Sequence, residues 1–197
     1  MPGRSSPAPI QLIGFVWFLA AIVTGASGLL LRVPAPALQA ILVALTLALF
    51  IAAVGVASFG AWLAAVDLSA VIAVHLTRFI GIYFLVLYRR GLLPFDFAVL
   101  GGWGDILIAA AAFAWLVFAA DPARHRGWLW AWNLAGLIDI LLVVAIAGRQ
   151  GAADPASMGP LRVLPLSLLP TFLVPIIIGS HALIFWRLRR RTSLREA

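Results

Sequence analysis

Six side chains with chemical potential interrupt long apolar runs in this sequence: His75, Arg78, Asp105, Asn133, Asp139 and His181. His75 and Arg78 stand three residues apart in "VIAVHLTRFIGIYF" (71–84), a spacing that puts them on one helical face. Asn133, Gly136 and Asp139 also step by three and span an arc of about 120° on a helix. Imidazole exchanges protons near neutral pH, and carboxylates act as acids or bases, so the set suits ligand binding, proton exchange or acid–base chemistry.

Two further stretches carry signals. In "GGWGD" (101–105) three glycines let the backbone approach a neighbour closely. Asp105 there reads as an N-terminal helix stabiliser in preference to an outer gate or a polar ligand contact. "LPLSLLPTFLVPIIIGSH" (164–181) places Pro165, Pro170 and Pro175 ahead of His181, which predicts a bent helix, either static or moving. "DPARHRG" (121–127) reads as an inner loop with a solvated His125. The chain has no H-E-x-x-H, no glycine elbow with a Ser/His/Asp set, no Walker lysine and no acidic pair for two metals. No metal site is therefore expected, and haem enters only under an alternative in which His75 and His181 are its axial ligands.

The elements that must position these residues follow from composition. The chain of 197 residues is 64% hydrophobic and 11% charged, with mean hydropathy +1.09. A soluble domain is roughly half apolar and a quarter charged, so lipid must solvate most of this one. Runs long enough for the ~20 residues of a membrane-crossing helix occur at 10–31, 38–66, 68–88, 102–120, 128–147 and 166–186. The expected fold is an all-α polytopic transmembrane helical bundle of about six spans, forming a single membrane domain over 1–197. The second run is too long for one straight crossing and is expected to tilt, kink near 58–60 or project. Pro94 and Asp96 interrupt 91–101, which reads as interfacial or re-entrant, and 187–197 as a basic tail. A cleaved secretory signal ending at "TGASG" (24–28) is the alternative for the first span.

All fourteen basic residues are arginine. With both termini cytoplasmic, eight of them (Arg4, Arg124, Arg126 and the five in 187–195) lie inside, and Arg32, Arg89, Arg90, Arg149 and Arg162 outside. The net charge of +7 thus reflects topology, and nucleic acid is not an expected partner. Absence of lysine removes Schiff-base chemistry, and absence of cysteine removes disulfides and thiolate metal sites.

At 1.5 Å of rise per residue, Arg78 lies about 15 Å from the cytoplasmic end of its span and Asp139 about 16–17 Å. An unpaired charge at that depth costs at least about 2.5–3.5 kcal/mol, so the two are expected to pair. His75, Asn133 and His181 form a second layer at about 7–10 Å. A purely structural pair fixing helix register is the bland alternative.

"RFIGIYFLVLYRRGLLPFDFAVLGGWGDILIA", "WNLAGLID" and "LPTFLVPIIIGSH" together resemble a group of small, uncharacterised bacterial membrane proteins over about residues 75–181. The resemblance implies no reaction, cofactor or fold.

A small-molecule or ion transporter or channel in the bacterial inner membrane is the leading expectation, with Arg78 and Asp139 as an ionic lock and the histidines as binding or proton-exchange groups. An intramembrane enzyme on a lipid-soluble substrate, with Asp139 or Asp105 as acid and His181 or His75 as base, is the alternative. The haem carrier and a structural membrane subunit follow. The expected partners are the bilayer, a small-molecule ligand, and a second copy or a larger membrane complex.

Overall fold

A computed structural model of the chain describes residues 8–118 and 125–193, with side chains through residue 189. Besides two short 3₁₀ turns, Leu29–Arg32 and Gly159–Arg162, the described residues form seven longer helices: α1 (Ala8–Ala26), α2 (Ala35–Gly55), α3 (Ala57–Ala65), α4 (Leu68–Arg89), α5 (Asp96–Phe118), α6 (Arg126–Ala153) and α7 (Leu169–Arg189). All but α3 are long and apolar enough to cross a membrane, and the molecule is a multi-pass membrane protein built as a helical bundle. In lipid every backbone N–H and C=O needs an internal partner, which the helix supplies from its own chain.

α4, α5, α6 and α7 contact one another in a ring; α2 packs against α6 and α7, and α1 against the start of α7. The ring is stratified. At one end Phe84, Phe97, Val143 and Val174 belong to an apolar cluster from all four helices. At the other, Ile72, Trp115, Leu129 and Ile184 do the same. Each helix crosses from one layer to the other, and each carries its polar residues in between: His75 and Arg78 on α4, Asp105 on α5, Asn133 and Asp139 on α6, Ser180 and His181 on α7.

Several expected boundaries move. The second run breaks at Val56, whose extended backbone (φ −107°, ψ 101°) separates α2 from α3; Ser58 and Gly60 fall in the first turn of α3. Gly60 lies where a Cβ would come 2.8 Å from the Ala53 carbonyl, so the two helices fold closely together. α3 is held at its far end by the Arg187 side chain, which donates to the Leu63 carbonyl. The segment expected to be interfacial divides: Asp96–Gly101 is a π-helical turn that begins α5. In the last span Pro165 precedes the helix, Pro170 sits in a second π-turn, Leu169–Leu173, and Pro175 follows it in the first regular turn. The "TGASG" stretch ends α1, with Gly28 in the left-handed region at φ 70°. His125 is exposed, as expected, while 119–124 of its loop lie outside the described residues.

The proline pattern of α7 explains how α1 attaches. Pro175 has no N–H to offer the Thr171 carbonyl four residues back, and Trp17 Nε1 donates to that carbonyl at 2.8 Å. The indole also packs edge-on against Phe172, centroids 4.9 Å apart. Trp17→Phe keeps the ring contact and removes the donor. It is expected to lower stability by about 0.5–1.5 kcal/mol in unfolding titrations of the purified protein, whereas no change would mean that α1 is held by packing alone.

Candidate functional site

The centre of the polar layer is Arg78, 1% exposed. It lies in a 3₁₀ stretch of α4, Val74–Ile80, where residues i and i+3 eclipse, so His75 and Arg78 stack along one line of the helix. Each of its three guanidinium nitrogens donates to one of the two helices opposite. Nε donates to Asp105 Oδ1 of α5 at 2.6 Å, Nη1 to the Gly136 carbonyl of α6 at 3.0 Å, and Nη2 to Asp139 Oδ2 of α6. The formal charges do not cancel, since one guanidinium meets two carboxyls. The carboxyls also differ in exposure: the Asp105 side chain is 5% exposed and that of Asp139 is 21% exposed.

Glycines create the room. A Cβ on Gly81 would collide with the Gly102 carbonyl, so α4 and α5 cross backbone to backbone beside Asp105. A Cβ on Gly104 would overlap Asp139 Oδ1, and one on Gly136 would lie 2.6 Å from His181 Cε1. Small residues of this kind allow membrane helices to approach closely; here they also leave the carboxyl and the imidazole their places.

The next layer is a hydrogen-bonded histidine pair. Asn133 Nδ2 donates to the His181 carbonyl at 3.0 Å, which leaves Oδ1 to accept from His181 Nδ1–H at 2.8 Å. Ser180 Oγ donates to the Ile177 carbonyl at 2.7 Å, so His75 Nε2–H donates to that same oxygen at 3.0 Å. The remaining ring nitrogens, His75 Nδ1 and His181 Nε2, are buried without a hydrogen-bond partner among the described residues. The rings touch at a centroid distance of 4.3 Å. Trp132 packs edge-on against His75 at 5.0 Å and anchors its own N–H on the Ile108 carbonyl at 3.1 Å.

Beside this layer, between α2, α6 and α7, lies a cavity of about 70 Å³. Its walls are mainly apolar, with Leu42, Phe84, Phe97, Val143 and Leu169 among them. Among the described residues its polar lining comes from Asp105, Gln39 and Arg162. Both π-turns border it, through Phe97 of α5 and Leu169 and Pro170 of α7.

All six residues singled out in the sequence therefore lie in two adjoining polar layers between the apolar clusters. Arg78 has the expected partner, Asp139, and a second, Asp105. Asp105 lies in the first turn of the regular α-helix Gly102–Phe118, as the helix-start reading expects, but a π-turn leads into that helix without a break and the carboxyl is spent on Arg78. The haem alternative does not fit: axial imidazoles need a porphyrin plane between them, and these rings are in direct contact. Ser180 and Trp132, which hold His75, carried no sequence signal beyond adjacency to His181 and Asn133. Gln39 and Arg162 carried none, since only the packing of α2 brings them to the cavity.

Removing Arg78 leaves two carboxyls without their cation. Arg78→Met is expected to cost about 3–5 kcal/mol, measured by denaturant unfolding in mixed micelles. The double variant Arg78→Met/Asp105→Asn should lose at least about 1 kcal/mol less than the summed single losses; strict additivity would deny the ion pair any coupling. Imidazole ¹⁵N spectra should show His75 as the Nε2–H and His181 as the Nδ1–H tautomer, and the reverse assignment in either ring would break the hydrogen-bond scheme.

A family model described as a domain of unknown function, DUF8737, matches residues 35–189. No curated protein and no solved structure matches the sequence. The matched region runs from the first turn of α2 to the end of α7 and contains the ion cluster, the histidine pair and the cavity. The chain belongs to the DUF8737 family.

Proposed function

We propose that the protein is a small-molecule carrier of the bacterial inner membrane, with both termini in the cytoplasm. The cavity is its binding site and the Arg78–Asp105–Asp139 cluster is the lock that closes the bundle beneath it. One observation carries this reading: Asp105 belongs to both, lining the cavity while accepting from Arg78 Nε. A solute that reaches the cavity floor therefore acts on the bond that ties α4 to α5. The multi-span helical architecture and the arginine excess at the proposed inner ends support the location and orientation.

Two features favour a carrier over the other classes. An intramembrane enzyme needs its base within reach of substrate, but His75 and His181 do not line the cavity. A cluster serving only to fix helix register has no use for a second, uncompensated carboxyl, nor for a cavity beside it.

Because the chain has no cysteine, single cysteines report accessibility cleanly. Ala147→Cys lines the cavity, Ile184→Cys is buried in the opposite apolar layer, and Leu30→Cys is buried outside the ring. In sealed vesicles a membrane-impermeant maleimide is expected to label Ala147→Cys from the cavity side and Ile184→Cys slowly from the other. Adding Asp105→Asn weakens a contact of about 1–2 kcal/mol and should speed labelling of Ile184→Cys up to roughly tenfold, with Leu30→Cys unlabelled throughout. If Ile184→Cys stays unlabelled in both backgrounds, the protein does not open to both sides and is not a carrier.

A further inference from the structure

We propose that the cavity takes a small amphipathic monoanion, its apolar body between Leu42, Phe84, Val143 and Leu169 and its anionic head on the guanidinium of Arg162. This rests on the reading of the cavity as the carrier's binding site, and it names the solute class.

Arg162 is the last residue of a 3₁₀ turn, Gly159–Arg162, between α6 and α7, and the turn is anchored by the buried side chain of Leu161. Its Nη2 is buried yet has no hydrogen-bond partner, and no carboxylate pairs with it among the described residues. A buried N–H of a charged group without an acceptor is costly, and native structures rarely leave one unexplained. Gln39, the other polar group at this end, spends its Nε2 on the Val144 carbonyl at 3.4 Å. Arg162 therefore presents an open donor fork of the shape that carboxylates, phosphates and sulfonates fill.

The rest of the lining sets the body and its direction. Arg162 is partly exposed while Asp105 is 3% exposed, so the cation marks the mouth and the carboxyl the floor. A floor carboxyl repels an anionic head and leaves it at the mouth, with hydrocarbon pointing inward. A cation entering the same way meets Arg162 first and is turned back. The volume of about 70 Å³ holds roughly five to seven water-sized groups at ~10–15 Å³ each, the bulk of one ring or a short alkyl chain. Such an anion also needs a carrier, because its charge keeps it out of the hydrocarbon core.

The head could belong to a soluble organic anion or to a lipid whose chain enters the cavity, and both share this chemistry. The test uses the full chain in phosphatidylcholine nanodiscs with benzenesulfonate as probe, read by saturation-transfer NMR. Arg162→Gln is expected to weaken binding about 10- to 100-fold, with Arg162→Lys in between. Ala147→Leu should block binding by filling the cavity with Arg162 intact. Binding of neutral benzyl alcohol should not change in Arg162→Gln. If phosphatidylglycerol nanodiscs weaken sulfonate binding to the unsubstituted chain but not to Arg162→Gln, the occupant is a lipid head; if they have no effect, it is a soluble anion. Equal benzenesulfonate binding with and without Arg162, no binding at all, or preference for benzyltrimethylammonium overturns the proposal. Cysteine labelling of Ile184→Cys requires no ligand, so the carrier reading stands or falls separately.

Discussion

A guanidinium buried between two apolar layers is the constraint from which the rest of the architecture follows. Arg78 lies in the middle of a membrane helix, where its charge can be kept only if counter-charges and acceptors meet it. Those acceptors come from α5 and α6, two carboxylate oxygens and a backbone carbonyl. Three directed bonds from one rigid fork fix how far α5 and α6 stand from α4 and how each is rotated. The close approach then demands glycine where backbones or carboxyls meet, and Gly81, Gly102, Gly104 and Gly136 occupy those places. Substituting any of them with a side chain would force the helices apart and lengthen the bonds that make the arginine tolerable.

Within the four helices of the ring, regular helix gives way around this layer and the cavity. α4 tightens to 3₁₀ where it carries His75 and Arg78, and α5 and α7 widen to π-turns along the cavity wall. Such departures have poorer or rearranged hydrogen bonding and recur at functional sites and hinges. In a bilayer they are tolerated where protein supplies the missing partners, as Trp17 does for Thr171. Two of the segments that line the proposed binding site, the π-turns of α5 and α7, thus depart from the α-helix, while α2 and α6 form the rest of its wall as regular helix.

How much of this could be read from the sequence depended on whether depth alone decided the contact. Arg78 and Asp139, and His75, Asn133 and His181, were recoverable because a uniform rise per residue places them at equal heights, and apolar surroundings leave charges few partners. Asp105 was placed in the first turn of the regular helix that begins at Gly102, but its bond to Arg78 was not legible, because Pro94 and Asp96 look like a helix boundary to a hydropathy scan and hide the π-turn that continues α5 back to Asp96. The break at Val56 was missed in favour of Ser58 and Gly60 for a similar reason. A β-branched residue carries no break signal, while serine and glycine do, yet here they sit inside the next helix. The cavity was invisible because it arises from α2 packing across α6 and α7, a long-range arrangement with no local period.

The unequal exposure of the two carboxyls bears on how a lock of this kind could move. Asp139 is reachable from outside the ring, and Asp105 from the cavity. Arg78 is held by both carboxyls at once, so on the carrier reading a change at either one shifts the balance of the guanidinium toward the other. The Gly136 carbonyl holds Nη1 between the two carboxylate contacts. His181 lies against that same glycine and is tied to α6 through Asn133, so displacement of α6 at Gly136 is transmitted to α7. On the carrier reading, the two layers of polar residues are therefore one mechanical unit: the ion cluster senses the cavity and the histidine pair passes its movement to the helix that forms the cavity's other wall.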